Sequence, residues 1–383
     1  MRSKTEIVCA VEIGTSQVTV LVGEIAQNHD LRIIGIGECA SSGVVKGAIT
    51  DFRAASDATH HALLAAEKTA GMRIKSVFLA QSGGHVDGFY NEAAVNVSAV
   101  DGRVRAKDVD AVCNIAKSKD IPEGCIVIHH IRRPYRLDGR LVPDPINLTG
   151  KRLEVGYWTT YGRETLVASQ IHVILGFHVR VTELILSGLA SGMALTTPDE
   201  RKHGVLVIDI GAGTTDYALY RDGCAQTAGV IPVAGSHLTN DLSLALHLNT
   251  DQAEKIKRLY GRGQVVTQDR TIKIWANDRP TIGDHPLSRR SIEQVTNART
   301  QEIFEVVRKK LGAYFDPDKI PSGVILTGGT SLLPEIDKKA AQVFELPVNI
   351  AKGSALVNEN LRGPHYSTTL GMLSYPRINS GAS

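Results

Sequence analysis

No CxxC pair occurs in this sequence, and its five cysteines, Cys9, Cys39, Cys113, Cys125 and Cys224, are scattered and odd in number. That spacing excludes a disulfide scaffold and fits a reducing cytosol, where a free thiol behaves as a small hydrophobe. No uncharged apolar run approaches the roughly 18 residues of a membrane span. The start "MRSKTEIVCAV" lacks the apolar segment and small-residue site of a signal peptide, so a soluble intracellular protein is expected. Charge of one sign is scarce as well: the formal net charge is +3, with Lys and Arg spread along the chain. A nucleic-acid footprint is therefore not expected, and Arg132, Arg133, Arg136 and Arg140 read as a solvated face. There is no GxxxxGK[ST] loop and no GxSxG elbow, which disfavours a Walker ATPase and a serine hydrolase. The adjacent pairs His60-His61 and His129-His130 point in different directions and lack metal-ligand spacing, so structural roles are expected for them. Low-complexity tracts and flexible linkers are absent.

What is present describes a globular α/β chain. Length 383, hydrophobic content 43% and charged content 22% allow two domains with their own cores. The first forty residues read as three strands, "IVCAVEIG", "QVTVLVGEI" and "LRIIGIGEC", turning at Gly14-Thr15-Ser16 and Asn28-His29-Asp30. A helix follows from Asp51, its N-cap, to Thr69, with Gly71 as its stop. After Leu206 the plan repeats as "GVLVIDIG", "DYALYRDG" and "CAQTAGVIPVA", followed by helical patterns from about Ser236 to Arg258. Glu12-Ile13-Gly14 and Asp209-Ile210-Gly211 each end a strand with acid, Ile, Gly. The copies lie about 200 residues apart, which points to a duplicated architecture with a cleft between its halves. An α+β insert, roughly Gly83 to Thr160, separates them, with a helix expected over Ala106–Lys119 and a rigid loop at Pro143-Asp144-Pro145. Glu164 to Leu195 reads as helical, Arg290 to Ala313 as a long helix, and "GVILTGGTSLLPEIDKKA" as strand, turn and helix.

Three glycine turns end strands: Gly14, Gly211/Gly213 and Gly328/Gly329. Glycine admits close backbone approach to an anion, and the hydroxyls of Thr15, Thr214 and Thr215 add donors. One such turn is equally a plain hairpin; two matched turns with an acid at one offset favour nucleotide binding. Glu12 and Asp209 are either carboxylates satisfied by turn amides or a Mg²⁺ site acting largely through water. Glu254, Lys257 and Arg258 share one helix face, as a surface ion-pair helix or as a face that grips a ribose. In "LTGGTSLLP", Thr330 can cap a helix with Pro334 in its first turn, a geometry suited to a flat base over the glycines.

"AVEIGTSQVTVLVGE", "LVIDIGAGTTDYALY" and "VILTGGTSLLP" resemble the two phosphate motifs and the adenosine motif of the actin and sugar-kinase ATPase superfamily. Within it, "DPINLTGKRLEV", "ELILSGLASGMALTTPDERKHGVLVIDIGAG" and "DQAEKIKRLYG" resemble the FtsA family of bacterial cell division, over Ile7 to about Leu373. The resemblance implies two actin-like, ribonuclease-H-like α/β domains with a small α+β insert (subdomain 1C) in place of 1B. By position, 1A would be 1–82, 161–199 and 352–383; 1C 83–160; 2A 200–245 and 308–351; and 2B 246–307. It implies ATP with Mg²⁺. The phosphates would lie on Gly14, Thr15, Ser16, Gln17, Gly211, Ala212, Gly213, Thr214 and Thr215. Adenosine would lie on Gly235, Glu254, Lys257, Arg258, Gly328, Gly329, Thr330 and Leu332, with the ion near Glu12 and Asp209. It further implies filaments built through 1C and 2B, other division proteins as partners, and the carboxy-terminal peptide of FtsZ on 2B, where "RTIKIW", Arg289 and Arg290 are candidates for an acidic peptide. The family acts at the inner face of the cell membrane.

Two departures modify these expectations. The ending "LGMLSYPRINSGAS" shows no apolar face or basic stripe, so the family's amphipathic membrane helix is not expected in this chain and attachment would be peripheral. "LILSGLASGMAL" carries no Asp, Glu or Gln to orient a water, and Gln17 stands where many relatives have Lys, so tight ATP binding with weak hydrolysis is expected. A type IV pilus-assembly ATPase is the alternative reading. A metabolite kinase would need an Asp base near the cleft.

Overall fold

The computed structural model describes residues 5–26, 30–269, 271–276, 286–352 and 361–379. Residues Asn28 and His29 of the expected turn, Arg270 of "RTIKIW", and parts of the expected 1A and 2B ranges lie outside the described residues. Two five-stranded mixed sheets form the body, and their topology is the same. In the first, Glu6–Ile13 pairs antiparallel with Gln17–Ile25, which pairs with Leu31–Ala40. On its other side Glu6–Ile13 runs parallel to Ser76–Gln81, and that strand to Arg180–Leu186. In the second, Val205–Ile210, Thr215–Arg221 and Cys224–Ile231 form the meander, while Val324–Thr327 and Val348–Ile350 add in parallel. This is the duplication seen in the sequence.

The sheets are covered on both faces, so their central strands are apolar almost throughout rather than alternating. Helix Phe52–Ala70 packs Ala55, Ala58, Ala62, Leu63 and Ala66 against one face of the first sheet. Its small residues permit close approach; Asp51 accepts from the Ala54 amide at the start, and Gly71 ends it in a left-handed conformation. Ser367–Asn379 covers the other face with Leu370, Met372 and Leu373. The chain's closing stretch thus does carry an apolar face, contrary to the sequence reading, and that face is spent on the core. Phe304, Val307, Leu311, Ile336 and Phe344 from helices Arg289–Leu311 and Ile336–Phe344 fill one side of the second sheet. The insert has its own sheet, with Arg152–Arg163 at its centre, and helix Ala106–Lys117 packed on it.

Two expectations are corrected and one is made specific. The span Glu164–Leu195 is two helices, Glu164–Leu175 and Ser187–Leu195, with strand Arg180–Leu186 between them. Val181, Thr182 and Ile185 suit a pleated neighbour of Ser76–Gln81, and tertiary pairing decides the segment. The helical patterns from about Ser236 are the helices Gly235–Leu246 and Thr250–Tyr260, separated at His247, whose φ is 54°. Thr330 caps nothing: Gly329–Leu332 is a 3₁₀ turn, Ile336–Phe344 starts later, and the Thr330 hydroxyl donates to Gly211 O at 2.7 Å. Among the described residues no helix is long and apolar enough to cross a membrane.

Candidate functional site

The register of the two central hairpins places equivalent residues in equivalent positions. Glu12 pairs with Thr19 and Asp209 with Asp216, each seven residues on; the Gly14 amide donates to Gln17 O and the Gly211 amide to Thr214 O. The two turns meet across a cleft of about 680 Å³. Gly213 stands so close to the opposite turn that a Cβ there would lie 2.2 Å from Thr15 Oγ1 and 3.0 Å from Lys46 Cα. Gly328 holds φ 83° where the third turn passes under Asp209, and a Cβ would meet Asp209 Oδ1 at 2.4 Å.

Seventeen of the nineteen nucleotide and metal positions expected from sequence line this cleft, all but Thr215 and Gly235. Thr215 is a correction. It begins a strand, so its side chain faces away, and its hydroxyl donates to Val233 O. Gly235 supports the floor instead: its amide donates to Gly211 O and its carbonyl accepts from Lys257 Nζ. At that end Glu254 takes Lys257 at 2.6 Å and Arg258 at 2.7 Å and accepts from the Thr239 hydroxyl. Burial pushes Glu254 up, but these bonds, Lys257's first, win and pull it down to about 2. Lys257 is itself lowered by burial in spite of the pair. Glu254 and Lys257 thus form the ion pair of the first reading while lining the cleft.

The other end is acidic and buried. Glu12 lies well above the usual carboxylate range through burial, then through the charges of Asp209 and Asp216. Burial and then Asp209 raise Asp216 likewise; burial raises Asp209 against hydrogen bonds from Ser191 and Thr368. Those hydroxyls hold Asp209 Oδ2 at 2.5 and 3.1 Å, from helices Ser187–Leu195 and Ser367–Asn379 respectively. Ser82, at the end of a first-sheet strand, crosses the cleft and donates to Asp216 Oδ2 at 2.7 Å, 2.9 Å from Thr214 Oγ1. Asp216 Oδ1 is buried with no hydrogen-bond partner among the described residues. Sequence reasoning missed Asp216, Ser82, Ser191 and Thr368. The repeat itself could have found Asp216, because Thr19 occupies the same offset after Glu12.

A buried carboxylate that is harder to ionise in the folded chain destabilises that chain above its ordinary pKa. Asp216→Asn keeps the acceptor for Ser82 and removes the charge. It is expected to raise the melting temperature of the ligand-free protein near neutral pH, the gain shrinking as pH falls toward 3.8, the ordinary aspartate value. An unchanged or lowered melting temperature near neutrality would contradict the electrostatic picture of the acidic end.

The candidate peptide contacts fare differently. Arg289 is committed to Glu293, a fully buried carboxylate, at 3.0 Å and lies over the Tyr260 ring. Arg290 gives one guanidinium N–H to Thr267 O at 2.8 Å. Arg289 is therefore not a free landing place. The histidine pairs have structural roles, as expected: His129 accepts the Leu186 amide, His130 bonds the Thr159 hydroxyl and His60 stacks on Phe177.

The family models named Cell division protein FtsA and SHS2 domain inserted in FTSA match residues 206–371 and 83–158. Cell division protein FtsA of Pseudomonas aeruginosa is 32% identical over 378 residues, covering 97% of this chain and 89% of that protein. The Escherichia coli K12 protein is 31% identical over 385 residues, covering 97% and 90%. This chain belongs to the FtsA family. It is an actin-like cell-division protein, and the 83–158 match falls on the insert sheet and its helix. Solved structures agree on an actin-like fold. The PilM–PilN type IV pilus biogenesis complex aligns with TM-score 0.66 at 17% identity, covering 95% of this chain and 97% of that one. MreB5 of Spiroplasma citri bound to AMPPNP aligns with TM-score 0.56 at 17% identity, covering 99% and 98%. At such identity the likeness is one of fold, and the FtsA relatives decide between division and pilus assembly.

Proposed function

We propose that this FtsA-family chain binds ATP in the cleft, polymerises into actin-like protofilaments in response, and couples the FtsZ ring to the inner face of the cell membrane. The observation that supports it most is the facing pair of matched turns, one from each half, with glycine where they touch. Phosphates between them would meet turn amides and the hydroxyls of Thr15, Ser16 and Thr214, while Glu254 and Lys257 meet the ribose beside the Gly328-Gly329 turn. The acidic end suits a hard cation such as Mg²⁺. Asp216 Oδ1 lacks a partner among the described residues, burial raises all three carboxylates, and the charge of Asp209 raises Glu12 and Asp216 further. Among the described residues no three such groups converge closely enough to ligate an ion alone, so Glu12, Asp209 and Asp216 would hold it through water. The ion would offset the charge gathered around the phosphates.

Hydrolysis is expected to be slow. Helix Ser187–Leu195 offers only hydroxyls to the cleft, and the Gln170 amide is spent on Gln81 Nε2 and Gly47 O. Nucleotide state then acts as a switch between conformations. We assign filament contacts to the insert and to the 2B region, and keep Arg290 as the cation for the acidic FtsZ peptide. Leu370, Met372 and Leu373 of the Ser367–Asn379 helix are spent on the core. Calorimetric titration of the full chain is expected to show one ATP site, tighter with Mg²⁺ than with chelator. No binding, or transfer of phosphate to a small sugar, would reject the proposal.

A further inference from the structure

Among the described residues, every charged one lining the phosphate end of the cleft is acidic: Glu12, Asp209 and Asp216. The lining cations, Lys257 and Arg258, sit at the far end on Glu254. Gln17, in the first turn, is neutral. A triphosphate placed there faces three carboxylates with no cation among the described lining residues at that end, and a divalent ion offsets only part of that charge.

A cation stands just behind the rim. Val44 pairs with Ile49 and Val45 with Ala48, leaving Lys46 and Gly47 as a two-residue turn with φ of 51° and 76°. Positive φ at both central residues is a type I′ hairpin, where Asn, Asp or Gly is favoured first because a short polar side chain or none eases the left-handed backbone. Lysine has neither property, so turn geometry does not account for it. The tip is fixed in place. Gly47 O accepts from Gln170 Nε2 at 2.7 Å, the Gly47 amide points to Thr15 Oγ1 at 3.4 Å, and Lys46 O accepts the Gly84 amide at 3.4 Å. Gly47 lines the cleft, and the backbone of Lys46 abuts Gly213 of the opposite turn. The Lys46 side chain is exposed and forms no ion pair with a described residue. Its charge reaches His237, beside the cleft-lining Ser236: burial first and Lys46 second hold that ring below its ordinary pKa.

We propose that Lys46 is the cation that receives the phosphate chain of the nucleotide, carried over both phosphate turns on the tip of the Val44–Ile49 hairpin. The inference rests on the nucleotide reading of the cleft and adds a residue that none of the phosphate motifs contains. Reaching over the seam between the halves, the side chain would close on phosphate only when both turns hold it.

The test compares ATP and adenosine binding to the full chain in Lys46→Gly and Lys46→Arg. Glycine keeps the turn and removes the charge; arginine keeps the charge. Lys46→Gly is expected to weaken ATP about tenfold and to flatten its salt dependence, with adenosine affinity unchanged and Lys46→Arg near wild type. ATP affinity unaltered in Lys46→Gly, or equal losses for ATP and adenosine, would overturn the inference while leaving the nucleotide reading intact. Failure of the wild-type chain to bind ATP would overturn both.

Discussion

Gly213→Ala is expected to cut ATP affinity about 100-fold, or ~2.7 kcal/mol, while the chain still folds. The added methyl would lie 2.2 Å from Thr15 Oγ1, 2.9 Å from Thr15 Cβ and 3.0 Å from Lys46 Cα. The hydroxyl can rotate away; the other two atoms cannot without moving the first turn and the hairpin behind it. Overpacking of this kind typically costs about 1–3 kcal/mol. Here the cost falls on closure of the cleft, because the two turns belong to different halves of the molecule. Adenosine, held by Glu254, Lys257 and the Gly328-Gly329 turn, is expected to bind with little change. Titration of both ligands, with thermal unfolding as a control, checks this; ATP affinity within a few fold of wild type would place the phosphates elsewhere.

Glu293→Ala is expected to destabilise the protein by about 3–5 kcal/mol, the usual result of removing one partner of a buried ion pair. The carboxylate is fully buried. It takes Arg289 at 3.0 Å, the amides of Val266 and Thr267 at 3.0 and 2.8 Å and the Thr267 hydroxyl at 2.7 Å, with Arg262 at 3.7 Å. Arg262 continues to Glu335 at 2.6 Å, and the Gly263 amide bonds Pro334 O just past the Gly329–Leu332 turn. Glu293 is therefore the buried carboxylate that ties the loop from Gly261 to Thr267 to helix Arg289–Leu311, beside the bonds of Thr296 to Arg262 and of Arg290 to Thr267 O, and its loss leaves guanidinium and amides unsatisfied. Burial pushes the Glu293 pKa up, but the bonds from Thr267 and Arg289 outweigh it and the net direction is down. The folded pKa lies below the unfolded one. The stabilisation is thus complete above the ordinary value of 4.5 and is lost as pH falls through the folded pKa. Glu293→Gln should lose less at neutral pH and lack that share of the acid dependence. Denaturant unfolding across pH measures both; a loss below about 1 kcal/mol for Glu293→Ala would contradict the assignment.

The same cluster shows what a one-dimensional reading misses. Arg289-Arg290 reads as a pair of free cations, yet Glu293, one helical turn on, claims the first. The i,i+4 spacing was visible, but the burial that makes the pair structural comes from a loop some twenty-five residues earlier. The duplicated turns were legible because acid, Ile, Gly recurs at strand ends, and glycine leaves few alternatives there. Asp216 and Thr19 were legible in principle from the shared offset. Ser82, Ser191 and Thr368 were not: small hydroxyl residues become site residues only when two sheets and two helices bring them to Asp209 and Asp216. Strand Arg180–Leu186 was hidden because it passes into helix Ser187–Leu195 without glycine or proline between them, and its partner strand lies about a hundred residues upstream. Thr330 had the right identity for a cap, and the approach of Gly211 O gave its hydroxyl a different use.

Electron microscopy of the wild-type chain with and without ATP and Mg²⁺, in solution and on anionic lipid monolayers, with Gly213→Ala alongside, tests most directly whether the cleft is a nucleotide switch for assembly. Filaments of the wild type that depend on nucleotide and are lost in Gly213→Ala are the predicted result. Filaments equally abundant without nucleotide or in Gly213→Ala, or ATP turnover on a small substrate with no polymer under any condition, would contradict it.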